Sequence, residues 1–248
     1  MKTLVTILNF ELPEFTDNLY EQLAPYKGED YDLEVIDNGS SSEKKSKYTS
    51  LQLPENVYFG GGLAAATEYF LNESQYDSLL FLNNDLNVHG YRYVKELRRI
   101  MFEHTNIGMV SSCVIGKDQH NECFWPQMRN WGSNQLRFVE WIDFQCPLIK
   151  REVLEKIQEY PEDLWPGYGY DIHTAMTCKE IHHKILVCDW LPVVHYGEAT
   201  LKLAKPSLEK NQYFELAMKR MYEHFHKVGK LQELEQMRRD AINYKYEK

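Results

Sequence analysis

The chain has 248 residues, 43% of them hydrophobic and 26% charged, enough apolar content to bury the core of one large α/β domain or two small ones. A net charge of −9 with no Lys/Arg-rich block argues against duplex DNA or an anionic membrane as partner. The five cysteines include no CxxC pair, the apolar run 4–8 is too short for a signal segment, and no stretch reaches membrane-spanning length; the expectation is a soluble protein of a reducing, cytoplasmic compartment. An acidic chain can still bind a nucleotide, through backbone amides and a bridging cation. The generous supply of Tyr and Trp suits a sugar-binding cleft, and equally a core.

Residues 3–9 are rich in β-formers and predict a first strand. Pro13 and Asp17 precede an amphipathic segment, 19–26, read as a helix. Residues 33–37 predict a second strand that ends in Asp37, with a turn over 38–42. Residues 56–59 read as a short third strand, followed by Gly60-Gly61-Gly62 and an Ala-rich helix over 63–71. The run 79–82 predicts a buried strand that stops at Asn83-Asn84-Asp85. A surface helix over 91–103 and a strand over 107–111 follow. This alternation predicts an α/β fold with a mainly parallel, doubly wound sheet.

The second half is less regular. Residues 123–141, rich in Trp, Phe, Asn and Arg, read as a hairpin or an active-site loop. A strand over 142–149, a helix over 150–158, a Pro/Gly/aromatic loop over 161–171 and a helix over 172–182 come next, then strands over 185–188 and 192–195. From 210 to 248 the chain is charged and free of proline, with Leu216, Met218, Met221, Phe225 and Val228 as one helical face. That extension suits an oligomer interface, a membrane-surface contact or an acceptor-side lid.

Ligands of open α/β sheets collect at the carboxyl ends of strands. Asp85 stands at such an end, where a carboxylate can hold magnesium or manganese, or can simply make an Asx turn. Asn83 points the same way from an extended segment and is the weaker ligand. Asp37 has the same two readings, a base or ribose contact or a turn. The glycine triad fits neither GxGxxG nor a P-loop, so close approach to an anion and plain packing both stand. Asp171 is either a general base or a helix N-cap. His195, at a strand end, is either structural or a transition-metal ligand beside Asp85. The pairs His182-His183 and His224/His226 read as surface.

In this order and spacing, the segments resemble the family-two glycosyltransferases of the GT-A type, and rhamnosyltransferase-like members in particular. The resemblance covers most of the chain, from about Thr3 to Gly197. Asn9 resembles the end of the family's opening strand, and Val35-Ile36-Asp37-Asn38-Gly39-Ser40 its V-D-N-G-S segment. Residues 56–66 resemble its glycine stretch, and Phe81-Leu82-Asn83-Asn84-Asp85 its D-x-D region in an N-x-D form. Cys146 to Arg151 resembles the acceptor-side strand, Gly167 to His173 the G-W-G-x-D-I-D segment, and Val193-Val194-His195 the late metal histidine. Three departures stand out. Cys146-Pro147 replaces a small glycine, Tyr170 replaces the acidic residue of an E-D pair, and no Q-x-x-R-W follows.

The resemblance implies an inverting, metal-dependent transferase that moves a sugar from a nucleotide-diphosphate sugar to a hydroxyl of a glycan or glycoconjugate, as in polysaccharide biosynthesis. It implies Asp171 as the base. Asp85 and His195 would hold Mn2+ or Mg2+, and Asn9, Asp37, Gly61, Gly62, Asn83 and Asn84 would line the donor. Trp131, Trp141 and Asp143 would face the acceptor. The implied division is a GT-A domain over 1–205, with a nucleotide-sugar half (1–112) and an acceptor half (113–205). A C-terminal helical extension over 206–248 would offer a possible homo-oligomer contact. No nucleic acid and no transmembrane segment are expected. A catalytically inactive nucleotide-sugar or glycan binding module is the alternative, and a dinucleotide oxidoreductase is disfavoured by the missing GxGxxG.

Overall fold

The computed structural model describes residues 1–248 except 29, 89–91, 117–123, 198, 204–206 and 247–248, and the side chains of Leu201 and Lys202. Cys123, Tyr91 and the proposed boundary at 205/206 therefore touch or lie outside the described residues.

The fold grows from β1 (Lys2–Asn9), which pairs in parallel with β2 (Tyr31–Asp37) on one side. Helix α1 (Pro13–Leu23) connects the two and starts earlier than the sequence predicts, because Pro13 occupies the first turn, where its missing N–H costs nothing. The third strand, β3, is Thr49–Gln52, not 56–59. Its polar alternation hides it in sequence. Residues 57–59 instead enter α2 (Tyr58–Asn72), with the Asn56 side chain accepting the Tyr58 amide at 2.9 Å.

Helix α2 leads to β4 (Tyr76–Asn83), parallel to β1. Leu79, Leu80, Phe81 and Leu82 are fully buried, as a strand covered on both faces requires. A three-residue strand, β5 (Leu86–Val88), follows at once. Then come α3 (Tyr93–Glu103) and β6 (Ile107–Gly116). Two short strands, β7 (Leu136–Phe138) and β8 (Leu148–Lys150), are followed by α4 (Arg151–Ile157), α5 (Tyr170–Glu180) and β9 (Lys184–His195).

The strands form one sheet in the order β3-β2-β1-β4-β8-β6-β9-β5, with β7 also on β9. The first half is parallel, as the alternation predicts. Beyond β4 the sheet is mixed, since β8 lies antiparallel between β4 and β6. Only Leu148 and Ile149 of the predicted 142–149 strand join the regular ladder, which runs on to Lys150. Pro147 lacks an N–H, and the chain before it bonds more loosely to β4, through Phe81 N–H to Pro147 O (3.1 Å) and Asn83 N–H to Gln145 O (3.1 Å). The two strands predicted over 185–188 and 192–195 are one strand, β9, whose register with β6 shifts at the Asp189–Pro192 stretch.

The chain closes with α6 (Ala199–Leu203), α7 (Lys210–Lys227) and α8 (Leu231–Ile242). The buried face of α7 is Tyr213, Ala217, Met221, His224 and Phe225, and Val228 is exposed. His224 is thus interior, its Nδ1 2.7 Å from Asp163 Oδ1, and His183 pairs with Glu152 at 2.6 Å; neither pair is legible from local spacing.

A buried ion pair anchors the irregular 125–138 stretch. Arg137 Nε donates to Asp189 at 2.8 Å, while Nη1 and Nη2 donate to the carbonyls of Gln127 (2.6 Å) and Arg129 (3.0 Å). Both partners are almost fully buried. Asp189→Ala leaves the guanidinium unpaired and is expected to destabilise the protein by about 3–5 kcal/mol, read as a lowered urea midpoint. Replacing both residues with apolar ones is expected to cost less than the single change.

Candidate active site

A cavity of about 770 Å³ opens at the carboxyl ends of β1 and β4 and runs towards α5, α7 and α8. One end is made by Asn83, Asn84 and Asp85. Strand β5 runs antiparallel to β9 with Leu86 opposite His195. That register brings Asp85 Oδ1 to 3.2 Å from His195 Nε2. The second carboxylate oxygen accepts the Ala199 amide at 3.1 Å, and the Asp85 carbonyl accepts the Tyr196 amide at 2.9 Å. Burial alone would push the Asp85 carboxyl up, but the hydrogen bond and charge of His195, with the Ala199 amide, hold it below the usual range.

Asn83, Asn84, Asp85 and His195 all line the cavity, but Asn9 and Asp37 do not. Both are fully buried. Asp37 accepts from Asn9 Nδ2 (2.7 Å) and from the Ser40 amide (2.9 Å), which is the turn reading. Asn9 Oδ1 in turn accepts from Thr16 (2.7 Å), whose hydroxyl accepts from Asn84 Nδ2 (3.1 Å). The three strand ends are therefore tied by one buried polar chain, and Asp37 braces this end of the cavity from below. Thr16 escapes a sequence reading because it sits mid-helix.

The glycine triad lies inside the first turns of α2, not in a loop between strand and helix. Gly61 and Gly62 do not line the cavity. A β-carbon at Gly60 would fall 2.4 Å from the Tyr170 hydroxyl, and one at Gly62 2.6 Å from a Leu8 methyl. The triad thus lets α2 close on α5 and β1. Tyr170, which stands where relatives of the resembled family have an acid, is buried against Gly60 and fills space.

The other end centres on Asp171, in the first turn of α5. Gly169 caps that helix at φ 93°, a conformation that favours glycine. Asp171 is therefore not the N-cap; it lines the cavity, with one oxygen accepting the Ile172 amide at 2.8 Å. Burial, with the charge of Asp143 added, pushes its carboxyl up to about 7. Asp143 is delivered by the turn before β8 and accepts from Gln145 Nε2 at 3.0 Å. Burial raises the Asp143 carboxyl as well, against the opposing charge of His195. Asp143 is thus coupled electrostatically to both ends of the cavity.

The remaining wall is aromatic. Tyr58, Trp125, Tyr168, Tyr213 and Phe214 line it, with Arg238 from α8. Trp141 also lines it but is nearly fully buried, its Nε1 donating to Met237 O at 3.2 Å, so it forms the floor more than a platform. Trp131 is not part of the cavity; it stacks on Tyr246 with centroids 5.8 Å apart. Helices α7 and α8 are part of the cavity wall through Tyr213, Phe214, Met218, Met221 and Arg238. Tyr213-Phe214, an aromatic pair next to the predicted apolar face of α7, is the only sequence signal for this.

Among the described residues, no group of three or more His, Cys, Asp or Glu side chains is poised around a point. The donor set is the Asp85–His195 pair, a carboxylate beside an imidazole. That chemistry suits a divalent ion whose other ligands come from water or a phosphate.

No protein-family profile matches the chain, and no curated protein matches it in sequence. Solved structures do match. A crystal structure of S. aureus TarS 1-349 superposes with a TM-score of 0.57 and 15% identity, over 91% of this chain and 72% of that one. GalNAc-T7, solved with UDP, GalNAc and Mn2+, superposes with a TM-score of 0.64 and 11% identity, over 97% of this chain and 54% of that one. The chain thus spans about half the length of the GalNAc-T7 structure. These neighbours are glycosyltransferases, and the fold they share with this chain is of the GT-A type, a curled α/β sheet flanked by helices.

Because the folded Asp171 carboxyl titrates near 7 and the unfolded one near the ordinary value of 3.8, the folded state binds more protons between those values. The Asp171 contribution to stability is therefore greatest at low pH and is lost as pH rises towards 7. Asp171→Asn is expected to raise the melting temperature at pH 8 and to leave it nearly unchanged at pH 4. Parallel melting curves at the two pH values check this.

Proposed function

We propose that this chain is an inverting glycosyltransferase, moving a sugar from a nucleotide-diphosphate sugar to a hydroxyl of a glycan or glycoconjugate. The observation that carries the reading is one cavity with an Asp85–His195 pair at one end and a half-buried carboxyl, Asp171, pushed up to about 7 at the other. The GT-A fold supports it, as does a cleft at the carboxyl ends of parallel strands. The donor occupies the half built by 1–112 and the acceptor the half built by 113–205, with α7 and α8 as the outer wall.

Asp85 and His195 would hold the Mn2+ or Mg2+ that such chemistry uses, and the ion would supply positive charge for the departing diphosphate. No lysine or arginine lines that end of the cavity among the described residues, so the chain itself offers little to offset a diphosphate there. Asn83 and Asn84 offer amides to the donor. Asp171 accepts the proton of the acceptor hydroxyl as that oxygen bonds to the anomeric carbon. The bond from the anomeric carbon to the diphosphate oxygen breaks on the opposite face, and the electron pair leaves with the nucleotide. A base that titrates near 7 is suited to neutral pH, and Asp143 beside it helps to keep it there. Trp131 and Asp37 act outside the cavity, so neither contacts a substrate in this reading.

Thermal-shift titration with a panel of nucleotide-diphosphate sugars, with and without Mn2+, is expected to identify a donor whose stabilising effect needs the ion and is lost in Asp85→Ala. Asp171→Asn is expected to bind that donor as the wild type does while turnover falls by about 10²- to 10⁴-fold. The wild-type rate is expected to rise with pH through about 7, where Asp171 loses its proton. Undiminished turnover in Asp171→Asn would sink the base assignment. Donor binding with neither transfer nor hydrolysis in the wild type would instead support a binding module.

A further inference from the structure

The transfer chemistry leaves Arg238 without a task. This residue of α8 is the one arginine or lysine lining the cavity among the described residues. Its guanidinium carbon sits 5.3 Å over the Trp125 ring, and Nη1 is 3.9 Å from the Met221 sulfur, a weak acceptor. It makes no ion pair among the described residues. The other arginines held against the body of the protein are spent. Arg98 pairs with Asp77, Arg137 with Asp189, and Arg151 donates to three main-chain carbonyls.

The position of Arg238 is built. Met237, the residue before it, is buried, and its carbonyl accepts the Trp141 indole N–H at 3.2 Å, which fastens α8 to the core. The Trp125 ring holds the guanidinium within cation–π reach, and its fork of donors suits a planar or tetrahedral oxyanion. The field of Arg238 reaches Asp171 but does not govern it, because burial and Asp143 outweigh it and the Asp171 oxygen bonds its own helix amide. Met221, on which the guanidinium rests, packs against Gly169, two residues before Asp171, so Arg238 stands at the Asp171 end of the cavity.

We propose that Arg238, held on Trp125, recognises an anionic group, carboxylate or phosphate, on the acceptor, which makes the acceptor a negatively charged glycan or glycoconjugate. That this ligand is the acceptor rests on the transferase reading above; the anion site itself does not.

The test is binding, free of turnover. 4-Nitrophenyl β-glucuronide and its neutral counterpart, 4-nitrophenyl β-glucoside, are titrated by ligand-observed NMR into the wild type, Arg238→Gln and Arg238→Lys. A second pair, glucose 6-phosphate and glucose, separates phosphate from carboxylate. At least one anionic probe is expected to bind about tenfold tighter than its neutral partner. That preference is expected to vanish in Arg238→Gln, to survive in part in Arg238→Lys, and to weaken with added salt. Equal affinities within both pairs, no binding of any probe in the millimolar range, or a preference unchanged in Arg238→Gln would each overturn the proposal. Melting curves confirm that the variants fold, and donor titration with Mn2+ runs alongside. An anion preference without donor binding would overturn the transferase reading and support the anion site; donor binding without the preference would do the reverse.

Discussion

The site depends on the antiparallel pairing of β5 with β9. β5 is only three residues long and follows β4 with a two-residue break. Its register sets Leu86 opposite His195 and so seats Asp85 beside the imidazole. The same pairing bonds the Asp85 carbonyl to the Tyr196 amide and leads the chain into α6, whose first amide caps the second Asp85 oxygen. A one-residue slip would turn every side chain of β5 to the other face and separate the pair. The long strand β9 resists such a slip because it is also held by β6 and β7.

Electrostatics divides the cavity along its length. Negative and titratable groups run from Asp85 with His195, through Asp143, to Asp171, and the one guanidinium among the described lining residues is Arg238. The Asp85 carboxyl is held low by its partners, and Asp171 is raised by burial and by the charge of Asp143. Two carboxylates with opposite shifts in one cleft suit opposite roles, one fixed as an anion and one able to take up a proton. Tyr213 and Phe214 of α7 add an aromatic wall to the cavity that Asp171 lines. The C-terminal helices therefore contribute to the lining of the cleft as well as to its shape.

Close packing positions these groups. Gly60 admits the Tyr170 ring, Gly62 admits Leu8, and Gly169 turns the chain into α5 against Met221 and Leu164. The buried chain Asn84–Thr16–Asn9–Asp37–Ser40 fixes the strand ends, and it meets the cavity at Asn84. Such a network is costly if broken and stiff when complete, which holds this end of the cleft rigid.

Sequence alone determined the strand–helix alternation of the first half, the buried run of β4 and its polar end at Asp85, and the loop that presents Asp171. Each of these is written in local periodicity and turn chemistry, which neighbours in the chain decide. The order of weak motifs also pointed to the GT-A type of fold. Tertiary structure decided the rest. It set Asp85 against His195, drew Asp37 inwards, put the glycines to packing and left Trp131 outside. It placed Asp143 between the two ends of the cleft and made Arg238 part of the wall. All of these are contacts between residues far apart in the chain, or the choice of which side of a residue faces space, and no local pattern encodes either. The polar β3 and the single β9 strand escaped for a related reason, since pairing partners and a proline-centred register shift, not local propensity, define where those strands begin and end.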